Sequence, residues 1–227
     1  MGSWWHVMVG PLVGTVVGAA VTALVAERRA RREEQKLIVE ALAAVRTELL
    51  VGANRIGGSV ISAPTFIQWG QLPPVTDDLS LMYRTHAAVL HTHLSASDVL
   101  TVTVAYSWLM QYSRGGHVSG VPSRFISVFD LYMSVTNALY NAYTRMGEIL
   151  EADYGLHVGS EFAVFGFAAY WIANLCEGEL KTRSDADANA EEREKVLNIK
   201  ALAERMKTDL KKSGFEGPEV VDGHAKP

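Results

Sequence analysis

The sequence predicts an all-α protein in which one N-terminal transmembrane helix continues into an amphipathic stalk and a cytoplasmic helical bundle. Three observations support this fold class. Residues 4–26 form an apolar run that a cluster of basic residues follows directly. Beyond that cluster, apolar residues recur three and four positions apart, which is the spacing of a buried helix face. Glycine, proline and serine then separate the helical stretches at points where helices commonly begin or end.

The apolar run at residues 4–26 is long enough to cross a membrane. It contains no Asp, Glu, Lys or Arg. As a helix it extends about 35 Å, compared with a hydrocarbon core of about 30 Å. Trp4 and Trp5 lie where an interfacial aromatic belt is expected. We therefore predict a single span with the lipid bilayer as its surroundings.

The basic cluster predicts the orientation of this span. No Lys or Arg precedes the run, and five follow it within ten residues. Because Lys and Arg are enriched on the cytoplasmic side, we expect the N-terminus outside and the rest in the cytoplasm, at the inner or plasma membrane. A cleaved signal peptide is the alternative, but it requires positive charge before its apolar core. The basic residues, read as topology determinants or as ligands of anionic lipid headgroups, are Arg28, Arg29, Arg31, Arg32 and Lys36.

Three glycines recur every fourth residue within the predicted span. Gly10, Gly14 and Gly18 share one face of a helix and leave a flat surface on which a second helix can approach closely. This pattern favours helix packing in the membrane, and hence a homo-oligomer or a subunit of a membrane complex. The alternative is that glycine is simply common in such spans.

Residues 27–56 are predicted to continue the same helix as a stalk, first basic and then amphipathic. Four apolar positions spaced three and four residues apart define its buried face: Ile38, Leu42, Val45 and Leu49. Leu37 broadens that face, and Glu48 marks the solvated side. Three glycines predict the end of the helix: Gly52, Gly57 and Gly58.

Residues 57–183 are predicted to form the helical bundle domain. An irregular stretch at 57–78 contains Phe66 and Trp69 and is expected to pack against the domain. A helix at 79–93 is expected to be capped by Asp77 or Asp78. The next helix, at 98–112, has Ser95 or Ser97 as its candidate cap. A β-strand is the alternative for its β-branched run.

Two further helices complete the predicted bundle. Residues 113–123 form a loop, after which a long helix covers 124–154 and Gly155 ends it. Residues 160–176 are very apolar but carry only 15 uncharged residues in a row, which is short for a span. We expect them to form a buried central helix, with a second or membrane-dipping segment as the alternative.

Residues 184–213 are predicted to form a charged helix with a short coiled-coil seam, followed by a disordered tail at 214–227. The apolar positions of the seam repeat at three and four residues: Val196, Ile199, Ala203, Met206 and Leu210. Because the seam is only about two heptads long, it needs a partner. We expect this partner to be either the stalk helix or a second copy of the chain.

No pattern in the sequence predicts catalytic residues, a cofactor or a metal site. His86, His91 and His93 lie on one predicted helix, but His86 and His93 are about 10.5 Å apart along its axis, too far for one metal ion. Cys176 is the only cysteine and is expected to be a buried apolar residue. The aromatic residues of the predicted helices favour a packed core over a ligand cage.

The composition narrows the function to three hypotheses. The net charge of −4 argues against a nucleic-acid partner. The favoured hypothesis is a non-enzymatic, membrane-anchored interaction or scaffold protein that binds itself or other membrane protein subunits. The second is a membrane-disrupting effector or pore component. The third is a membrane-tethered ligand sensor or enzyme with a pocket near His117 and the 57–78 stretch.

Overall fold

In the structure, a computed structural model, every regular secondary-structure element of the described residues is a helix. The described residues are 4–62, 79–113, 124–159, 161–182, 190–215 and 217, and within them the side chains of 4–14, 16, 61–62, 124–127 and 182 are left out. The helices in these ranges are α1 (Trp4–Ser62), α2 (Leu81–His93), α3 (Ala96–Ser113), α4 (Arg124–Tyr154), α5 (Ala163–Thr182) and α6 (Ala190–Lys212). The prediction of an all-α helical bundle is confirmed.

Helix α1 is one uninterrupted helix of 59 residues. The prediction that glycines end it between Gly52 and Gly58 was wrong, because its buried face continues through Ala53, Ile56 and Val60. Gly52 lies on that face, where a Cβ would stand 3.5 Å from the Leu109 side chain. Burial of this face outweighs the low helix propensity of glycine, which costs only about 1 kcal/mol per residue.

Among the described residues, no helix has both the length and the apolar character needed to cross a bilayer. The side chains of residues 4–14, which make up the first part of the predicted span, lie outside the described residues.

Helix α4 occupies the centre of the bundle and packs against α1, α3, α5 and α6. It is thus α4, rather than the segment at 160–176, that forms the central helix. Helix α5 buries one face through Phe165, Ala169 and Ile172. Helices α1 and α2 also pack together, and α2 contacts α3.

The helix boundaries follow from local hydrogen bonds. The Ser95 Oγ accepts a hydrogen bond from the Asp98 backbone N–H at 3.2 Å and donates one to Asp98 Oδ2 at 2.6 Å, which confirms Ser95 as the cap of α3. Gly155 and Gly214 adopt φ angles of +64° and +87° and end α4 and α6 as predicted. Helix α2 instead begins after Ser80, so neither Asp77 nor Asp78 is its N-cap.

The five predicted seam residues of α6 are all buried. Within the chain, α6 packs against α5 and α4, so the expected pairing with the stalk is not the one found. Phe215, placed by the sequence in the tail, packs its ring against Gly166 and lies edge-on to Tyr170, with ring centroids 6.4 Å apart. Glycine at 166 leaves room for this ring.

Candidate functional site

The first candidate surface is the N-terminal half of α1, which extends away from the bundle. Every described residue from 17 to 37 is exposed, and the buried face begins at Ile38. Four apolar side chains on this half are between 43% and 56% exposed: Val17, Val21, Leu24 and Val25. Burying one such side chain is worth about 1.5–3 kcal/mol, so this surface has a strong tendency to be covered.

The predicted packing and topology residues lie on the same exposed half of α1. A Cβ added at Gly18 would meet no atom within 4 Å, and Gly10 and Gly14 belong to the segment whose side chains are not described. All five basic residues of the predicted cluster are exposed. Arg31 pairs with Glu27 at 2.6 Å and Lys36 with Glu40 at 3.7 Å, each one helical turn apart. The structure therefore leaves these cations accessible to solvent or to lipid headgroups.

A second candidate site centres on Glu48, which is buried, so the prediction that it marks the solvated side of α1 was wrong. This side chain of α1 accepts hydrogen bonds from the backbone N–H groups of Met82 at 2.8 Å and Tyr83 at 3.0 Å. It also accepts a hydrogen bond from the Tyr106 hydroxyl at 2.6 Å. Since Ser80 makes no side-chain cap, Glu48 supplies the N-terminal cap of α2 from a different helix.

Two stacked tyrosines adjoin Glu48. The rings of Tyr83 and Tyr106 are 4.4 Å apart at 13°, and the Tyr83 hydroxyl lies 3.0 Å from Thr103 Oγ1. Burial, together with the Glu48 carboxylate that accepts its hydrogen bond, raises the pKa of Tyr106 far above its usual value. The hydroxyl of Tyr106 therefore stays protonated and donates its hydrogen bond to Glu48. Glu48, Tyr83 and Tyr106 together connect α1, α2 and α3.

The signal for this site in the amino-acid pattern of α1 is weak. Glu48 precedes the buried Leu49 and follows the buried Val45 by three residues, so it borders the apolar face of α1. A carboxylate at that border is usually solvated. Its burial depends on the distant start of α2, 34 residues along the chain, which spacing within α1 does not reveal.

A third candidate site is a groove of about 690 Å³ between α3, α4 and the end of α6. Arg145 lies in it and donates hydrogen bonds to Asp98 at 2.6 Å and to Glu148 at 2.9 Å. The bond from Arg145 is the main cause that lowers the pKa of Asp98. Across the groove, Lys212 pairs with Asp209 at 3.0 Å. Because Arg145 bridges two carboxylates and Lys212 pairs with a third, we interpret the groove as a structural ion-pair network.

The histidines of α2 do not form a metal site in the described part of the chain. No group of three His, Cys, Asp or Glu side chains there has a geometry that could hold a metal ion. His93 Nε2 lies 3.7 Å from Glu34 of α1, and His91 Nε2 lies 3.4 Å from the Tyr83 hydroxyl. His117 and the stretch at 63–78, where the predicted pocket was placed, lie outside the described residues.

The remaining sequence candidates belong to the packed interior. Tyr143 contacts Phe165 at 5.5 Å between ring centroids, and the Arg46 guanidinium lies 4.0 Å from the Tyr143 ring centroid. Cys176 is buried, and burial raises the pKa of its thiol to about 11. A thiol with this pKa is protonated near neutral pH and is a poor nucleophile.

Comparison with known proteins supplies no relative for this architecture. No protein family, no curated protein and no solved structure matches the chain.

Proposed function

We propose that this protein is a non-enzymatic, membrane-anchored interaction or scaffold protein. In this proposal residues 4–26 cross the membrane, the N-terminus is outside and the helical bundle is in the cytoplasm. The bundle binds a second copy or other membrane protein subunits at the membrane surface.

The observation that carries the proposal is the exposed apolar half of α1. Val17, Val21 and Leu24 each expose more than half of their surface, and every described residue of α1 from 17 to 37 is exposed. A bilayer covers such side chains on all sides and leaves the helix backbone satisfied by its own hydrogen bonds. The adjoining exposed arginines then lie at the depth of the lipid headgroups.

The surfaces of the bundle support binding rather than catalysis. The buried carboxylates Glu48 and Asp98 each hold neighbouring helices together through short hydrogen bonds. Both carboxylates already accept several hydrogen bonds within the chain, so their role in this proposal is to hold helices in position. The surfaces left for function are those of α1 and the outer faces of the bundle.

Fractionation of the full chain tests the anchor. We expect the C-terminally tagged protein to stay in membranes washed with alkaline carbonate, and its tag to resist protease added outside intact cells. The double change Val17→Asp and Val21→Asp should move it to the soluble fraction, because each charge near a span centre costs about 2.5–3.5 kcal/mol.

The matched control places a charge on an equally exposed apolar residue of the bundle. Leu197 of α6 is 48% exposed, close to the exposure of Val21, and Leu197→Asp should leave the chain in the membrane. Release of the unaltered chain by carbonate, or equal release of both variants, would contradict the anchor.

A further inference from the structure

The outer side of the central helix α4 lies open between α3 and α6. Residues of all three helices line a groove of about 440 Å³ there. It shares Thr101 and Asn141 with the groove of about 690 Å³ that contains Arg145, and we call the combined surface the α4 groove. Along α4 it extends from Ser134 to Glu148, a distance of about 21 Å, which is the length of a helix of about four turns.

One wall of the α4 groove is an apolar face of α3. Leu100 is 62% exposed and Val104 is 40% exposed, and the partly buried Trp108 lies one turn further along. Helix α3 has no charged side chain after Asp98, whereas the solvent-facing side of a surface helix normally carries charged and polar residues. This wall therefore has the character of a surface that another apolar surface covers.

The floor of the α4 groove allows a further helix to approach closely. Ser134 and Ala138 of α4 are short, so the side-chain ridge of a helix can lie between the walls. Asn137 and Asn141 provide amide donors and acceptors. Opposite α3, Leu202 of α6 forms part of the second wall. The lining of the groove therefore fits one amphipathic helix.

The two ends of the α4 groove differ in charge. None of the residues that line the end between Leu100 and Trp108 is charged. The other end has three carboxylates and two cations: Asp98, Glu148, Asp209, Arg145 and Lys212. The side chains of Glu148 and Asp209 are each more than half exposed, so both can contact a further cation. The excess of carboxylates thus favours an occupant with basic residues at this end.

The charged end of the α4 groove faces the proposed membrane. Asp98 lies at the start of α3, and His93 at the end of α2 is 3.7 Å from Glu34 of α1. Glu34 precedes the bundle and lies about 12 Å along α1 from residue 26, where the proposed span ends. A neighbouring helix that leaves the same membrane therefore reaches the charged end about eight residues beyond its own span.

From this complementarity we infer that the α4 groove binds an amphipathic helix of another membrane subunit, one that continues from that subunit's span into the cytoplasm. Such a helix begins with Lys and Arg, because the cytoplasmic flanks of spans are enriched in both. Its basic residues meet the charged end, and its apolar residues meet Leu100, Val104 and Trp108. The inference rests on the proposed anchor, since a bundle held at the membrane presents the groove in this orientation.

A second copy of this chain does not supply that helix. Its α1 also follows the proposed span, but the apolar face of α1 is buried in its own bundle from Ile38 onward. Between residues 27 and 37, Leu37 is the only large apolar residue. The occupant is therefore a different subunit, and the cross-linking test separates it from a second copy.

Photo-crosslinking in native membranes, followed by mass spectrometry of the joined peptides, tests the groove. A photoreactive phenylalanine analogue replaces Val104 in one variant and Met110 in the other. Both residues belong to α3 and are 40% exposed, but Val104 lines the groove and Met110 lies about 120° around the helix. We expect several-fold more adduct from the Val104 variant, joined to another protein within about 20 residues of the cytoplasmic end of a span.

The other outcomes overturn the inference. These are equal adducts from both positions, no adduct from Val104, an adduct with a second copy, and an adduct with a protein that has no span. Carbonate fractionation of the same membranes tests the anchor separately, because a chain that stays in the membrane without a Val104 adduct refutes the groove alone.

A charge reversal tests whether the occupant is basic at the charged end. Glu148→Lys adds a cation there and should reduce the Val104 adduct several-fold. Glu151→Lys is the matched control, since Glu151 is another exposed glutamate of α4, three residues further on, and is not part of the groove. An undiminished adduct from Glu148→Lys, or an equal loss from both variants with unaltered circular dichroism, would contradict a basic occupant.

Discussion

Glu48 shows how one side chain can join three helices at the residue scale. It accepts two backbone hydrogen bonds from the start of α2 and one from Tyr106 of α3. Removing it leaves the buried Tyr106 hydroxyl and the two part-buried backbone N–H groups without this acceptor. Each buried donor left without an acceptor lowers the free energy of unfolding by about 1–3 kcal/mol, which is more than the net contribution of one ordinary hydrogen bond.

We predict that Glu48→Ala lowers the free energy of unfolding by about 3 kcal/mol and Tyr106→Phe by about 1–2 kcal/mol. Urea denaturation in mild detergent, followed by circular dichroism, measures both. Glu40→Ala serves as the control, because Glu40 is an exposed glutamate of the same helix. This variant should change the free energy of unfolding by less than about 0.5 kcal/mol. Similar values for Glu40→Ala and Glu48→Ala would argue against a capping role.

Asp98 links stability to pH. Its pKa is lowered from the usual value of 3.8, first by the hydrogen bond from Arg145. A carboxyl group with a lowered folded-state pKa stabilises the fold above its unfolded pKa, and this contribution is lost as the pH falls through the folded pKa. We therefore predict that Asp98→Asn is destabilising at pH 7 and that the difference from the unaltered chain shrinks below about pH 4. Unfolding curves from pH 7 to pH 3 measure it, and a difference independent of pH would exclude the linkage.

At the scale of the elements, the glycines of α1 are the informative positions. A Cβ at Gly58 would meet no atom within 4 Å, and the residue lies inside a helix. Gly58→Ala should therefore raise the free energy of unfolding by about 0.5–1 kcal/mol through helix propensity. Gly155 has a φ of +64°, so Gly155→Ala should lower it by about 1 kcal/mol.

Thermal unfolding of the two alanine variants gives opposite shifts if α1 extends to Ser62. Were α1 to end at the glycine pair, Gly58→Ala would bring no gain. The comparison thus tests the structure against the boundary that the sequence pattern indicates.

Much of the helical architecture could be predicted from local signals. Ser95 followed by Asp98 has the spacing of a capping box. Gly155 directly follows the last residue of α4, and Gly214 lies two residues after the last residue of α6. Such signals act within a few residues and are visible in the sequence. The continuation of α1 past Gly52 depends on packing against Leu109, which lies far along the chain.

The candidate sites were predicted less well for the same reason. Exposure of the basic residues follows from their charge alone. Burial of Glu48 and exposure of Leu37 depend on where α2 is placed beside α1, and no spacing within α1 encodes that placement. The partner of the α6 seam likewise depends on tertiary topology, which put it against α4 and α5.

The whole molecule divides into a packed part and a projecting part at Ile38. The described side chains that precede it in α1 are all exposed, so they contribute little to the stability of the bundle. We predict that a chain lacking residues 2–26 is released from membranes but unfolds at nearly the same temperature as the full chain in detergent. Calorimetry of both forms checks this, and a large fall in the melting temperature would show that the N-terminal half supports the fold.

The unbroken course of α1 also makes it a lever. The helix continues without a break through its three glycines from residue 26 to Ser62, a distance of about 54 Å along its axis. Spanning helices tilt by about 20° on average, and a change of that size pivoting at residue 26 would swing the far end of α1 sideways by about 18 Å. In the proposed anchor, changes in bilayer thickness would thus be converted, without any refolding, into large displacements of whatever the bundle binds.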